Sequence, residues 1–257
     1  LEITVAQLAA FWKSPTRGYL KAQKIDLPME EEDDTTLDFA PLNLNGLQKW
    51  KLKDAILKDR FRETPNESRS KALAAADRGL PTGYLADREW QVFQTMQAIA
   101  DEVKKASPKD KMLGVEISGC LISCPVQLAG ETLLVGDCGN LKEPKHFLSH
   151  WLAALVAAAS DLPCGMRIFY VGDPVSESVF PAINPVDAKT ILKEILDGYM
   201  QGQHRPLRFA LRVSHSLVGT ARDCLKAKAL GSKSAYGDSP QAGEGLSPAS
   251  LLAWRDI

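Results

Sequence analysis

Apolar residues recur at three- and four-residue intervals over the first part of the chain, which is the spacing of helices with one buried face. Val5, Leu8, Phe11 and Trp12 predict a short helix opened by Thr4 as its cap. Ser14-Pro15, a capping residue followed by proline at a first helical position, predicts a second helix carrying Tyr19 and Leu20. The acidic run Met29 to Asp34 then reads as a solvated loop. A third helix is expected from Asn45, bearing Leu47, Trp50, Leu57 and Phe61, with a loop over Pro65 to Ser70. Lys71 to Ala76 resumes helix and Gly79 stops it. The strongest pattern, from Tyr84 to Ala106, sets Phe93, Met96, Ala100 and Val103 on one face. Lys104 and Lys105 suit the negative end of its dipole, and Pro108 lies just beyond.

At Leu113 the period changes to two. Leu113, Val115 and Ile117 alternate with Gly114, Glu116 and Ser118, the pattern of a strand with one buried side. A second strand over Cys124 to Leu128, a turn at Ala129-Gly130 and a return over Thr132 to Val135 complete a hairpin-rich sheet. An apolar helix from Pro144 to Ser160 follows, then a buried strand at Arg167 to Val171. Asn184-Pro185 caps a helix with Val186, Leu192, Ile195 and Tyr199. The Gly-, Ser- and Pro-rich stretch Gly237 to Pro248 reads as a loop. The fold class expected is α/β, in one domain over 1–257: a helical part over 1–110 and an α/β core over 111–257.

A length of 257 residues with 45% apolar content is enough for a substantial core, and a formal charge of -1 carries no global nucleic-acid signature. Charge is instead asymmetric late in the chain. Arg205, Arg208, Arg212, Arg222, Lys226, Lys228 and Lys233 are opposed locally only by Asp223. Such a run is either a solvated basic face or a contact for phosphate backbone, where lysine and arginine release counterions whatever the sequence. The longest apolar run, Trp151 to Ala159, is far shorter than the roughly 18 residues of a spanning helix, and no signal-peptide pattern opens the chain. A cytoplasmic protein with no membrane partner is expected. A start at Leu1 and a stop at WRDI suggest a piece of a longer chain.

Candidate chemistry is sparse. Cys120, Cys124, Cys138, Cys164 and Cys224 show no C-x-x-C spacing and read as reduced, mostly buried thiols. His146 and His150 stand at i, i+4, but Phe147 occupies the seat that glutamate fills in H-E-x-x-H, and a third ligand is not evident. There is neither a G-x-S-x-G elbow nor a phosphate-binding G-x-x-x-x-G-K-[ST] loop. The informative stretch is Leu133 to Ala159, LLVGDCGNLKEPKHFLSHWLAALVAAA, a strand, a polar turn and an apolar helix. Metal-dependent nucleases present their site on such a layout, with a carboxylate on the strand and a lysine two residues on. Those seats here are Val135 and Asp137, so neither can act: valine holds no metal and aspartate supplies no positive charge.

The opening ITVAQLAAFWKSPTRGYLKAQKIDLP resembles the start of the RecC C-terminal domain family, RecC being the gamma chain of exodeoxyribonuclease V. The likeness continues through LNGLQKWKLKDAIL, VEISGCL, the Leu133 to Ala159 stretch, ILKEILDGYMQGQHRPLRF and, loosely, GEGLSPASLLAWR. The resemblance implies a PD-(D/E)XK nuclease-like fold without nuclease activity, set in a complex whose other subunits supply motors and nuclease. It implies RecB-like and RecD-like partners, DNA ends or single-stranded DNA as ligand, no cofactor, and a role in guiding or separating strands during double-strand break repair. By position it puts the first carboxylate seat near Ile122, with Val135 and Asp137 as the others, leaving the catalytic set empty. The family's turn after this strand is usually basic, whereas Gly136, Asp137 and Asn140 stand here. That leaves Lys142 and Lys145 as nearer candidates for DNA, beside Arg205, Arg208, Arg212, Arg222, Lys226 and Lys228. Two alternatives remain at this point. One is an interaction scaffold with no DNA contact; the other is an active Mg²⁺ nuclease with migrated residues, Glu116, Glu131 and Asp137 holding the ion and Lys142 assisting.

Overall fold

Thr4 begins the folded structure by doing two jobs. It ends a short strand, β1 (Glu2–Thr4), and caps helix α1 (Val5–Lys13) through a reciprocal box: its hydroxyl accepts the Gln7 N–H at 3.2 Å while the Gln7 side chain accepts the Thr4 N–H at 2.8 Å. The computed structural model describes residues 1–25, 46–61, 94–139, 141, 144–162, 164–172, 175–207, 209 and 211. The expected loops at 29–34, 65–70 and 237–248, the helix at 71–76 and positions 84–93 of the helix expected at 84–106 lie outside these.

Helix α2 (Pro15–Ala22) starts at proline as expected, although Ser14 makes no side-chain cap; its carbonyl instead accepts the Gly18 N–H at 3.0 Å. Helix α3 (Gly46–Arg60) buries Leu57 as expected, with Leu52 and Ile56 beside it, whereas Trp50, expected on the same face, is exposed. Helix α4 (Gln94–Lys105) buries Met96, Ile99, Ala100 and Val103.

Strands β2 (Lys109–Ile117) and β3 (Cys120–Ala129) form a long antiparallel hairpin. Both turn residues, Ser118 (φ 52°) and Gly119 (φ 76°), take the left-handed conformation that matches strand twist. β3 turns back into β4 (Thr132–Asp137), and helix α5 (Pro144–Ala159) leads to β5 (Gly165–Val171), which lies parallel to β4. Strand β6 (Val175–Phe180), absent from the sequence expectation, pairs antiparallel with β5, and helix α6 (Pro185–His204) follows, its Asn184 cap accepting the Val186 N–H at 2.8 Å. Val186, expected on the buried face of α6, is exposed, and Ala188, Leu192 and Leu196 are buried.

This is a mixed sheet with helices on both faces. One core gathers Ile3, Leu8, Leu113, Ile122, Leu133, Ile168, Leu192 and the whole run Leu152 to Ala159. From Leu152 to Ala159 helix α5 is buried all round because α1 and α6 pack against it on the side away from the sheet, which is why it carries no polar stripe there. The second core, on the other face, holds α3 and α4 against Leu134, Cys138 and Phe169.

The sheet is forked. β2 occupies one edge of β3 from Cys120 to Leu128, so the opposite edge is shared by β1 beside Leu121 to Ser123 and β4 beside Gln127 to Ala129. The Leu121 N–H donates to the Leu1 carbonyl at 2.9 Å, which shows that odd-numbered residues of β3 direct their backbone groups to this edge. Pro125 therefore points into the gap between β1 and β4. A proline in a central strand ordinarily forfeits a ladder bond; here no strand among the described residues pairs with it on that side.

Candidate functional site

Alternation along β4 sends Leu133, Val135 and Asp137 toward α5 and sends Leu134, Gly136 and Cys138 toward α3 and α4. Asp137, whose side chain is 13% exposed, meets His150 of α5, with Oδ2 2.6 Å from Nε2. Its Oδ1 accepts the Gly139 N–H at 2.5 Å, closing the turn that leaves the strand. A carboxylate only accepts, so Nε2 of His150 carries the proton and, in the neutral ring, Nδ1 is the acceptor. Burial pushes the Asp137 carboxyl upward, but the hydrogen bond and charge of His150, the Gly139 N–H and the nearby His146 outweigh it. The net shift is below the usual carboxylate range.

His146 belongs to the same cluster. A Cβ on Gly139 would lie 2.8 Å from His146 Nδ1 and 2.9 Å from Asp137 Oδ1, so only glycine allows this approach. Two lysines border it: Lys145 in the first turn of α5, and Lys13 at the end of α1, both exposed. Partial desolvation lowers the Lys13 ammonium from its ordinary value, against the raising effect of the Asp137 charge. On the other side of His150, a cavity of about 720 Å³ opens at the fork of the sheet, lined by Thr4, Pro125, Val135, Ser149, His150 and Phe61 among others.

The expected seats separate into two places. Val135 and Asp137 share a face as anticipated, but Ile122 is fully buried between Val115 and Ile3. The β3–β4 register, pairing 127 with 134 and 128 with 133, would set Val135 opposite Val126 if carried one step further. The migrated-nuclease arrangement is not formed. Glu131 lies in the turn before β4 and Asp137 at its far end, roughly 20 Å away at the rise of a strand. Glu116 is exposed on the opposite face of β2 from Val115 and Ile117. Among the described residues no three His, Cys, Asp or Glu side chains converge as metal ligands, the His146 and His150 pair included.

Of the basic candidates, Lys145 is exposed in the first turn of α5, and Arg205 is exposed at the end of α6, where its N–H donates to the Gln201 carbonyl at 3.1 Å. Lys142, Arg208, Arg212, Arg222, Lys226 and Lys228 lie outside the described residues. Cys120, Cys124, Cys138 and Cys164 are buried and unbridged. Burial pushes the Cys124 thiol up to about 11, and burial with Asp137 and Asp54 pushes Cys138 up to about 12, so both stay protonated and inert. Lys13 was missed by sequence reasoning, because nothing local links the last residue of a helix to a strand more than a hundred positions away. The i, i+4 spacing of His146 and His150 did signal that both would face one way.

Fold and cluster together define a mixed-sheet α/β domain whose β4–turn–α5 junction holds a buried carboxylate–histidine pair. The chain belongs to the RecC C-terminal domain family, whose model matches residues 1–222. It is 25% identical over 213 residues to the RecBCD enzyme subunit RecC of Escherichia coli K12, covering 80% of this chain and 18% of that protein. Against the RecBCD enzyme subunits RecC of Mycobacterium tuberculosis and Mycolicibacterium smegmatis the values are 26% over 239 residues and 25% over 244, covering 86% and 87% of this chain and 21% of each relative. The chain thus spans about a fifth of the length of the curated relatives it matches. No helix among the described residues is long and apolar enough to cross a membrane.

Proposed function

We propose that this chain is a single, nuclease-like domain, without nuclease chemistry of its own, of a RecC-type subunit. It guides or separates DNA strands and docks RecB-like and RecD-like subunits in recombinational repair of double-strand breaks. Cleavage and translocation belong to the other subunits, and the working compartment is the cytoplasm. Family membership supports the setting, and the hairpin followed by strand, polar turn and apolar helix supports the nuclease-like assignment.

The observation that carries the loss of chemistry is the occupation of Asp137. Both of its oxygens are already engaged, by His150 and by Gly139, and its neighbours in the expected catalytic set are Val135 and Ile122. Mg²⁺ prefers several oxygen donors in octahedral array, and one engaged carboxylate does not provide them. The test is twofold. The purified chain should show no Mg²⁺-dependent cleavage of linear or single-stranded DNA, and the subunit that contains it should bind forked DNA with an affinity that falls with salt and weakens on Arg205→Glu. Cleavage abolished by Asp137→Asn would overturn the first part; salt-independent or absent DNA binding would favour a pure interaction scaffold.

A further inference from the structure

Helices α3 and α4 cover the second face of the sheet over β4, β5 and β6 and stop there. Among the described residues, the same face of β2 and β3 is bare. Alternation along the hairpin sends Leu113, Val115, Ile122 and Cys124 into the core under α5 and turns Met112, Gly114, Leu121 and Pro125 outward, where all four are exposed. Met112 is 68% exposed, an unusual place for a large apolar side chain at the middle of a strand. The register fixes what surrounds this apolar centre. Leu121 lies between Glu116 of β2 and Glu2 of β1, and beyond the Met112–Pro125 pair the next pair on the face is Asp110 with Gln127. No lysine or arginine of these three strands shares the face, since Lys109 and Lys111 alternate to the other one. The printed neighbours of the carboxylates are neutral, Gln127 donating to Asp110 at 3.1 Å and Ser123 to Glu2 at 3.4 Å, so their charge is not cancelled. The cavity at the fork opens beside the strip, with Met112, Pro125, Gln127 and Phe61 on its wall.

We propose that this strip seats an amphipathic helix of a partner subunit, apolar along its inner side, bearing lysine or arginine along its margins, and lowering one large apolar side chain into the fork cavity. The inference rests on the docking role proposed above and adds the surface and the chemistry of the segment that fits it. Dimensions select a helix. Three strands about 4.8 Å apart present a strip about 10 Å across, the width of a helix, and the span from Asp110 to Glu116 is about 20 Å, the length of roughly thirteen helical residues. Such a helix continues the layer that α3 and α4 already form on this face. Charge decides against DNA as the occupant: Glu2, Asp110 and Glu116 repel a phosphate backbone, whereas they attract a helix with basic margins and hold it in one register.

The test uses the complete subunit containing this chain, with the RecB-like and RecD-like subunits of the same complex as its binding partners. Dissociation constants are measured by biolayer interferometry for the wild type, for Met112→Asp/Leu121→Asp and for Asp110→Lys/Glu116→Lys. The control is Val179→Asp/Val186→Asp, whose side chains are 69% and 71% exposed on β6 and α6. Each strip variant should weaken assembly by about tenfold or more while the control stays within about twofold. All substituted side chains are exposed, and urea midpoints equal to wild type separate lost docking from lost folding. Independently of those variants, p-benzoylphenylalanine in place of Met112 should crosslink on irradiation to a partner helix with basic margins. Wild-type constants in both strip variants, an equal loss in the control, or crosslinking only within this subunit or to DNA would overturn this surface while leaving the docking role standing. A wild-type subunit that associates with neither partner would remove both.

Discussion

Asp137 is held ionised by its surroundings although most of its side chain is out of water, and that has a consequence in acid. Its folded value lies below the ordinary carboxylate value of about 3.9, so its contribution to stability is complete above that pH and is lost as pH falls through the folded value. Urea denaturation from pH 7 to pH 2 should show wild type exceeding Asp137→Asn at neutral pH, with the gap closing in acid; a constant gap would contradict the pairing. Asp137→Ala strands both the Gly139 N–H and the His150 Nε2–H, and should cost about 2–4 kcal/mol at pH 7. At this scale the sequence put Val135 and Asp137 on one face of a strand, and β4 holds them so. It was silent on what Asp137 does there, because a hydrogen bond across to α5 depends on how helix and strand are stacked.

Elements with a strong internal period were legible, and those whose burial is set by distant neighbours were not. Helix α5 reads from Pro144 to Ser160 in the sequence and runs from Pro144 to Ala159 in the fold, since an uninterrupted apolar run has nowhere to go but the centre. Leu155, fully buried on it, should cost about 2–5 kcal/mol when cut to alanine, measured by chemical denaturation. Strand β1 is three residues long and exists only because β3 offers an edge; β6 turns Val179 outward and so shows no inward apolar alternation. Helix α3 buries Leu52 and Ile56 beside the expected Leu57 and exposes Trp50, because its position on α4, not its own weak pattern, selects the face. The junction of α1 with α6 is set by size. Phe11 stacks edge-on to Tyr199 at 5.0 Å and to Trp12 at 5.5 Å, and it fills the space that side chains on Gly18 and Gly202 would need. Gly202→Ala should therefore lower the unfolding midpoint, costing about 1–3 kcal/mol despite alanine's better helix propensity. A neutral or stabilising result would show that the Phe11 ring can move.

Over the whole molecule, the α/β class emerged from the change of period at Leu113 and the later strand and helix signals, while the fork between β1 and β4 did not. Forking depends on two strands sharing one edge of β3, a pairing with no local signature, although Pro125 in the middle of an apolar strand was a sign of an unpaired backbone. Arg208, Arg212, Arg222, Lys226 and Lys228 lie outside the described residues, so the basic candidates with a place in the fold are Lys145 and Arg205. The function proposed above gives the β4–turn–α5 junction no metal chemistry of its own, with Asp137 committed to His150 and Gly139. Its most direct test is the Mg²⁺-dependent nuclease rate of the assembled, DNA-bound complex carrying Asp137→Asn, with assembly checked by gel filtration. A rate within about twofold of wild type is expected, a difference of about 0.4 kcal/mol or less in the barrier; a loss of cleavage by a hundredfold or more in an intact complex would place catalysis in this domain and contradict the proposed function.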